Sequence, residues 1–381
     1  MPQSPGLAEM IGQLISTPSI SSTLTQFDQG NLAVVDILAN WLQPLGFEIT
    51  IKPIEGKPNK ANLIAKRGTG NNALVLSGHT DTVPLDEYLW HTNPFSITEK
   101  DDRWYGLGTC DMKSFFALVI EAMRPLLDRD FKHPLILLAT ADEESTMSGA
   151  RNLTADDLAS AKFALIGEPT GLKPVKQHKG IMMLRALITG TSGHSSNPEL
   201  GRNALDGTAM LIEEIVQFRN EIRSEYINDD FDVPSPTLNL GCIHGGDNPN
   251  RICDHVELAF DVRVLPGMSN DEIRHSLAKR LQTRLQQAEL KCDLDLMHPA
   301  VAPFENTEKG LLSLLEQISR SSAKSVGFAT EAPFLKTLGL DTVILGPGSI
   351  DQAHQPNEFI PLNHIDPSID IIRRLIAQLC C

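Results

Sequence analysis

No apolar run in this chain approaches the ~20 residues that a membrane helix requires. The first fifteen residues also lack the basic stretch and apolar core of a secretory signal. Both absences predict a cytoplasmic protein without a membrane partner. Basic charge is short as well: 33 Lys and Arg stand against 48 Asp and Glu, a net charge of −15. A nucleic-acid binder needs the opposite sign to neutralise phosphates, so no nucleic-acid partner is expected. Cys110, Cys242, Cys253, Cys292, Cys380 and Cys381 are scattered and form no C-x-x-C pair, which fits free thiols in a reducing compartment. No G-x-S-x-G string occurs, which removes the usual serine-hydrolase nucleophile. Gly106 and Gly108 lack the third glycine of a dinucleotide loop, and Gly68-Thr69-Gly70 precedes a strand rather than opening a helix.

What is present reads as two domains, since 381 residues exceed what one core usually holds. Short apolar runs at Ala73–Leu76, Leu135–Ala139, Phe163–Ile166 and Thr342–Leu345 alternate with helical patterns. They predict strands buried on both faces of a mostly parallel sheet. A helix over Leu32–Leu45 is stopped by Gly46. A last helix follows Asp366-Pro367, with Asp366 as N-cap and Pro367 as first helical residue. The middle differs: strand, helix, two strands, helix and strand run from Ile181 to Leu296, the order of a ferredoxin-like unit. The expected fold is α/β. A mixed, mostly parallel sheet flanked by helices is built from 1–178 and 299–381, with a ferredoxin-like α+β insertion at 179–298.

In open α/β sheets, ligands bind beyond the carboxyl ends of the strands. Those positions hold His79 and Asp81, Asp111, Asp142-Glu143-Glu144, Glu168 and His354. His79 and Asp81 are two apart, so an extended backbone points both to one face. Adjacent carboxylates at the end of a buried strand repel one another unless a cation neutralises them. Each position has an ordinary alternative: a surface His beside an Asp, Asp111 as a helix N-cap, a solvated loop acid. Their shared placement at one end of one sheet argues for a joint role.

In this order, His79-x-Asp81, Asp111, Glu143-Glu144, Glu168 and His354 resemble the co-catalytic zinc aminoacylase and carboxypeptidase family, over essentially the whole chain. The resemblance implies two divalent metal ions, one bound by His79 and Glu168, the other by Glu144 and His354, with Asp111 bridging. It implies that Asp81 orients His79, that Glu143 is the general base, and that the insertion is a lid and dimerisation unit of a homodimer. A donor set of His and carboxylate without thiolate suits zinc, with cobalt or manganese as substitutes. Two such ions ~3.5–4 Å apart can share a carboxylate and hold a hydroxide between them for attack on an acyl carbonyl. His194, in Gly193-His194-Ser195-Ser196, resembles the family's lid histidine, which stabilises the oxyanion and in some members serves the partner subunit's site. Asn250 and Arg263 match positions that contact the substrate carboxylate. Gly106–Lys113, Gly167–Thr170 and Thr330-Glu331-Ala332-Pro333-Phe334 look like those members that hydrolyse N-acetylornithine to ornithine and acetate, in arginine biosynthesis. Glu331 is then the acceptor for the substrate's side-chain ammonium. Acetylcitrulline and succinyl-diaminopimelate are the alternative substrates, and a catalytically inactive binding protein of this fold is the alternative of another class. Ser114 departs from the glycine that often follows Asp-Met-Lys in the family.

Overall fold

A computed structural model describes residues 5–381. The chain divides into two units, one of residues 5–176, 306–324 and 330–381, the other of 177–305 and 325–329. The second unit extends past 179–298 because Phe304–Glu305 pairs with His178 and Gln177, and the Lys179 N–H donates to the Val326 carbonyl. Among the described residues no helix is long and apolar enough to cross a membrane.

The first unit is built on a sheet with the strand order Glu48–Ile54, Lys57–Arg67, Leu135–Thr140, Ala73–His79, Ala161–Ile166, Asp341–Ile344. The last four run parallel, and the first two are antiparallel to their neighbours. Ala73 to Leu76 and Leu135 to Leu138 are buried throughout, as strands covered on both faces must be. The helices Leu7–Ile15, Leu32–Leu42, Ser114–Met123, Lys309–Ser319 and Ile365–Leu379 supply the cover and share one core with the sheet. Ser114–Met123 exposes only Glu121 to any extent, so this helix is a core element rather than an amphipathic one.

Register decides where the strands end. His79 pairs with Thr140, Ser77 with Ile166, and Ile166 with Ile344. The four carboxyl ends therefore lie side by side, and whatever follows each strand in sequence is delivered to one place.

Two helix boundaries differ from the sequence reading. The α-helix from Leu32 stops at Leu42 and continues as a 3₁₀ turn over Gln43–Leu45, because Pro44 has no N–H to donate; Gly46, at φ 84°, closes it. The last helix starts at Ile365 with His364 as cap, so Asp366 lies inside the first turn rather than capping it. An acid there still favours the helix through the dipole, and Pro367 falls where an N–H would have no intrahelical partner.

In the second unit four antiparallel strands are ordered Thr237–Gly245, His255–Val264, Gly180–Thr189, Lys291–Leu296, the ferredoxin-like arrangement. Along His255–Val264, alternate residues from Val256 to Val264 are buried against the helices Ala204–Glu225 and Asn270–Gln286. Asn203 and Ser269 cap those helices by accepting from the N–H groups of Leu205 and Glu272.

Gly167, directly after the strand Ala161–Ile166, lies against Phe115: a Cβ there would sit 2.3 Å from the ring. The Phe115 ring is itself buried, at 2 % exposure, so it would have to shift against other core side chains. Gly167→Ala is expected to destabilise the first unit by about 1–3 kcal/mol. Thermal unfolding would show this, and a midpoint equal to wild type would mean the ring relaxes freely.

Candidate metal centre

His79 is the last residue of its strand. Its Nδ1 lies 2.9 Å from the backbone carbonyl of Asp81, which can only accept, so Nδ1 carries the proton. Nε2 therefore faces inward, 3.0 Å from Asp111 Oδ1 and 3.9 Å from Glu168 Oε1. The Asp81 carboxylate is 3.8 Å from the ring and is engaged elsewhere, accepting the N–H groups of Glu143 at 3.2 Å and Glu144 at 3.1 Å. Asp81 thus holds His79 through its main chain and the next strand's turn through its side chain.

Asp111 precedes the helix Ser114–Met123, whose cap position is Lys113, so Asp111 is not a helix cap. Its loop is held by Glu358, a buried carboxyl that the sequence reading assigned no role. Glu358 accepts from the N–H groups of Gly108 (2.9 Å), Cys110 (2.7 Å) and Asp111 (2.9 Å). Burial pushes its carboxyl up to about 8, although the three N–H groups pull the other way. Burial also lowers the nearby Lys113 ammonium to about 7, and Lys113 Nζ donates to the Thr17 carbonyl at 2.7 Å. The available signal was an acid placed directly before the short apolar strand Phe359–Pro361; nothing local says that it turns inward.

Glu144 Oε2 lies 2.8 Å from His354 Nε2, which is 3.9 Å from Asp111 Oδ2. His354 has φ 59° and a half-exposed ring, and its hydrogen bond to Glu144 raises it to about 9. Donor atoms of His79, Asp111 and Glu144 all fall within 4.8 Å of one another. Five predicted ligands, His79, Asp111, Glu144, Glu168 and His354, are thus linked by contacts of 3.9 Å or less, with Glu143 among them in the same turn.

This gathering is electrostatically unfavourable on its own. Burial, followed by the charge of Glu168, pushes Glu143 well above the ordinary range. Burial and Asp111 do the same to Glu168 and, less strongly, to Glu144. Burial opposes a charged His79, yet its hydrogen bond to Asp111 and the carboxylates beyond carry it well above its usual value. Glu144 Oε1 is buried without a hydrogen-bond partner among the described residues. Carboxylates that cannot reach water and lack donors fit a divalent cation. The adjacent thiol of Cys110 is pushed well above its ordinary value by burial and then Glu358, which keeps it protonated and leaves a nitrogen and oxygen donor set.

Glu331 stands at the N-cap position of the helix Ala332–Thr337, makes no side-chain cap to it, and is 2 % exposed. Oε2 accepts from Thr140 Oγ1 at 2.9 Å, Oε1 is buried without a partner, and burial raises the carboxyl to about 7. His194, Asn250 and Arg263 belong to the second unit. His194 lies on a two-residue ribbon with Arg251, and its Nδ1 accepts from the Ser196 backbone N–H at 3.2 Å. Its Nε2 is therefore the protonated, donating nitrogen. The Ser195 N–H donates to the Asn250 carbonyl, which makes Asn250 a neighbour of that ribbon. Arg263 pairs with Ile181, at the start of the strand whose far end, Thr189, leads to the ribbon. It lines a cavity of about 330 Å³ with Lys179, Phe231 and Ser325, and donates to Asp261 at 3.1 Å. Eight residues of strand, roughly 25 Å, separate Ile181, the partner of Arg263, from Thr189, the end that leads to the ribbon.

Residues 75–378 match the sequence profile of Peptidase family M20/M25/M40. The chain belongs to this family and is a metal-dependent hydrolase. Among curated proteins it is similar to the acetylornithine deacetylases of Photorhabdus laumondii (44% identical, covering 99% of this chain and 98% of that one) and Vibrio campbellii (44%, 100% of both). Among solved structures its fold is similar to an M20 family metallo-carboxypeptidase from Sulfolobus solfataricus (TM-score 0.76, 18% identity, 99% of both chains). A dinuclear metal binding peptidase of the M20 family from Bacillus subtilis gives TM-score 0.69 at 13% identity, covering 98% of this chain and 97% of that one.

Glu358→Ala leaves three buried N–H groups without an acceptor, and each such loss costs about 1–3 kcal/mol. The variant is expected to unfold at clearly lower denaturant concentration than wild type. Equal midpoints would show that the loop stands without this carboxyl.

Proposed function

We propose that this chain deacetylates N-acetyl-L-ornithine to L-ornithine and acetate, supplying ornithine for arginine in the cytoplasm. The observation that carries the substrate is the 44% identity, over 99% of the chain, to the deacetylase of Photorhabdus laumondii. Two zinc ions, or cobalt, would be held here, one by His79 and Glu168 and the other by Glu144 and His354, with Asp111 serving both. Bound there, they supply Lewis acidity for the acyl carbonyl and lower the pKa of water toward 7.

The residues divide the remaining work. The Asp81 carbonyl keeps the His79 Nδ1 protonated and so leaves Nε2 as a ligand atom. Glu143 takes the proton of the attacking water and returns it to the leaving amine. Burial, and then the charge of Glu168, raise this carboxyl above its ordinary range, which strengthens it as an acceptor for that proton. His194 presents Nε2–H to the oxyanion of the tetrahedral intermediate, a role supported by the Ser196 N–H on its other nitrogen. The free oxygen of Glu331 accepts the substrate's side-chain ammonium. Arg263 suits bidentate binding of the substrate carboxylate. Asn250 and His194, neighbours on one ribbon, would serve the site of a second copy, which makes the working form a homodimer. The edge strand Thr237–Gly245, which exposes Cys242, Ile243 and His244, offers an unpaired edge for such pairing.

Ornithine release by zinc-loaded protein is expected to exceed release from acetylcitrulline, acetylmethionine and succinyl-diaminopimelate, and to vanish with a chelator and return with zinc or cobalt. A preference for another member of that panel would move the substrate. Activity that survives complete metal removal would refute the mechanism. Glu143→Gln is expected to lower kcat by about 10²–10⁴-fold while zinc still binds. Glu331→Gln is expected to reduce the preference for acetylornithine over acetylmethionine; an unchanged ratio removes Glu331 from substrate recognition.

A further inference from the structure

Asp142 adjoins Glu143 and Glu144 in sequence but sits in different surroundings. Six donors converge on its fully buried carboxylate. Lys60 and Lys57 form short ion pairs with Oδ1 and Oδ2, and Thr146 Oγ1 also donates to Oδ2. Ser21 and Ser145 reach Oδ1 at 2.7 and 2.9 Å, and Ser148 reaches Oδ2 at 2.8 Å. Lys60 is only 5 % exposed and is shared with Asp28 at 2.6 Å. No hydroxyl or lysine of this set is a ligand of the metal centre.

The backbone at Asp142 is left-handed, φ 64°, a region where a non-glycine residue persists only if its surroundings over-determine it. They do so from both sides. The Asp142 carbonyl accepts from Met147 N–H at 2.7 Å and from Thr146 N–H at 3.2 Å. Asn62 closes the turn, accepting from Ala141 N–H at 3.1 Å and donating to the Gly149 carbonyl at 2.8 Å. The reversal at Asp142 is what directs the N–H groups of Glu143 and Glu144 to the Asp81 carboxylate, and it brings Glu144 to His354. The lysines also cancel a third carboxylate that would otherwise add its repulsion to the two beside it.

We infer that Lys60 and Lys57, acting through Asp142, are positioning residues that set the turn from which Glu143 and Glu144 reach the metal centre. The inference deepens the metallohydrolase reading and rests on it. It predicts that loss of the clamp weakens metal binding and slows turnover, beyond any loss of stability.

The test is zinc affinity by competition with a chromophoric chelator, together with kcat and KM for N-acetylornithine and the thermal midpoint of metal-free protein. Wild type, Lys60→Met, Lys60→Arg, Lys57→Met and Asp142→Asn are compared. Asparagine tolerates the left-handed backbone, so Asp142→Asn keeps the turn's geometry but loses the ion pairs. Lys60→Met and Asp142→Asn are expected to weaken zinc binding by about tenfold or more, the range seen when support for a metal ligand is removed. Their kcat should fall by a similar factor, with KM changed little. Lys60→Arg should recover most of both, and the half-exposed Lys57→Met should show a smaller effect of the same kind. Variants that melt earlier yet keep wild-type zinc affinity and kcat would overturn the inference, the clamp then being structural only. If Lys60→Met does not fold, Lys57→Met and Asp142→Asn decide by the same criteria. Absence of zinc binding by wild type would overturn the metal reading itself, and the clamp with it.

Discussion

Burying carboxyl groups is costly unless each finds a compensating charge or donor, and this chain brings an unusual number of them to the end of one sheet. Asp81, Asp111, Asp142, Glu144, Glu168 and Glu358 all have nearly inaccessible carboxylates. Three kinds of compensation divide the set. Asp81 and Glu358 are held by backbone N–H groups. Asp142 is held by two lysines and four hydroxyls. Among the described residues, Asp111, Glu144 and Glu168 have only histidines and one another, and this is the group whose charge fits a cation. The site is defined as much by which acids are already satisfied as by which are not.

The same division explains how the ligands are aimed. Two acids of the cation-binding group are bonded through their backbone N–H to an acid of the satisfied groups. Asp111 has its N–H on Glu358, and Glu144 has its N–H on Asp81 and follows Asp142 by two residues. The neighbouring acids fix the main chain while the ligand side chains remain free to bind. The parallel register supplies the rest, since His79 and Thr140 are paired partners and Ile166 aligns with Ile344.

Much of this was legible in the sequence. Short apolar runs can only be strands covered on both faces, and their order between helical segments implies a parallel sheet with its binding edge at the carboxyl ends. His79, Asp111, Glu144, Glu168 and His354 are all found at that edge. Adjacent acids after Leu135–Ala139 signalled a need for positive charge, but not that Asp142 is served by lysines and Glu144 is not. That difference depends on Lys57 and Lys60, about eighty residues away in the chain. Glu358 was invisible for the same reason, because its partners lie about 250 residues earlier. The α-helical boundary at Leu42 was displaced by Pro44, a local effect, and the last helix begins at Ile365, ahead of the Asp366-Pro367 start that residue preference indicated.

By itself, then, the sequence determined the α/β class, the inserted ferredoxin-like unit and the identity of the acids and histidines at the strand ends. Periodicity and residue type are local properties, and they carry that information without reference to distant contacts. Only the tertiary structure decided which carboxylates are neutralised by the protein and which are left for a cation. It also decided that Asp81 holds His79 through its carbonyl, and that Asn250 neighbours the His194 ribbon while Arg263 pairs at the start of the strand Gly180–Thr189. Those outcomes depend on charges and hydrogen-bond donors brought together by register and packing, where a residue's partners have no fixed relation to its place in the chain.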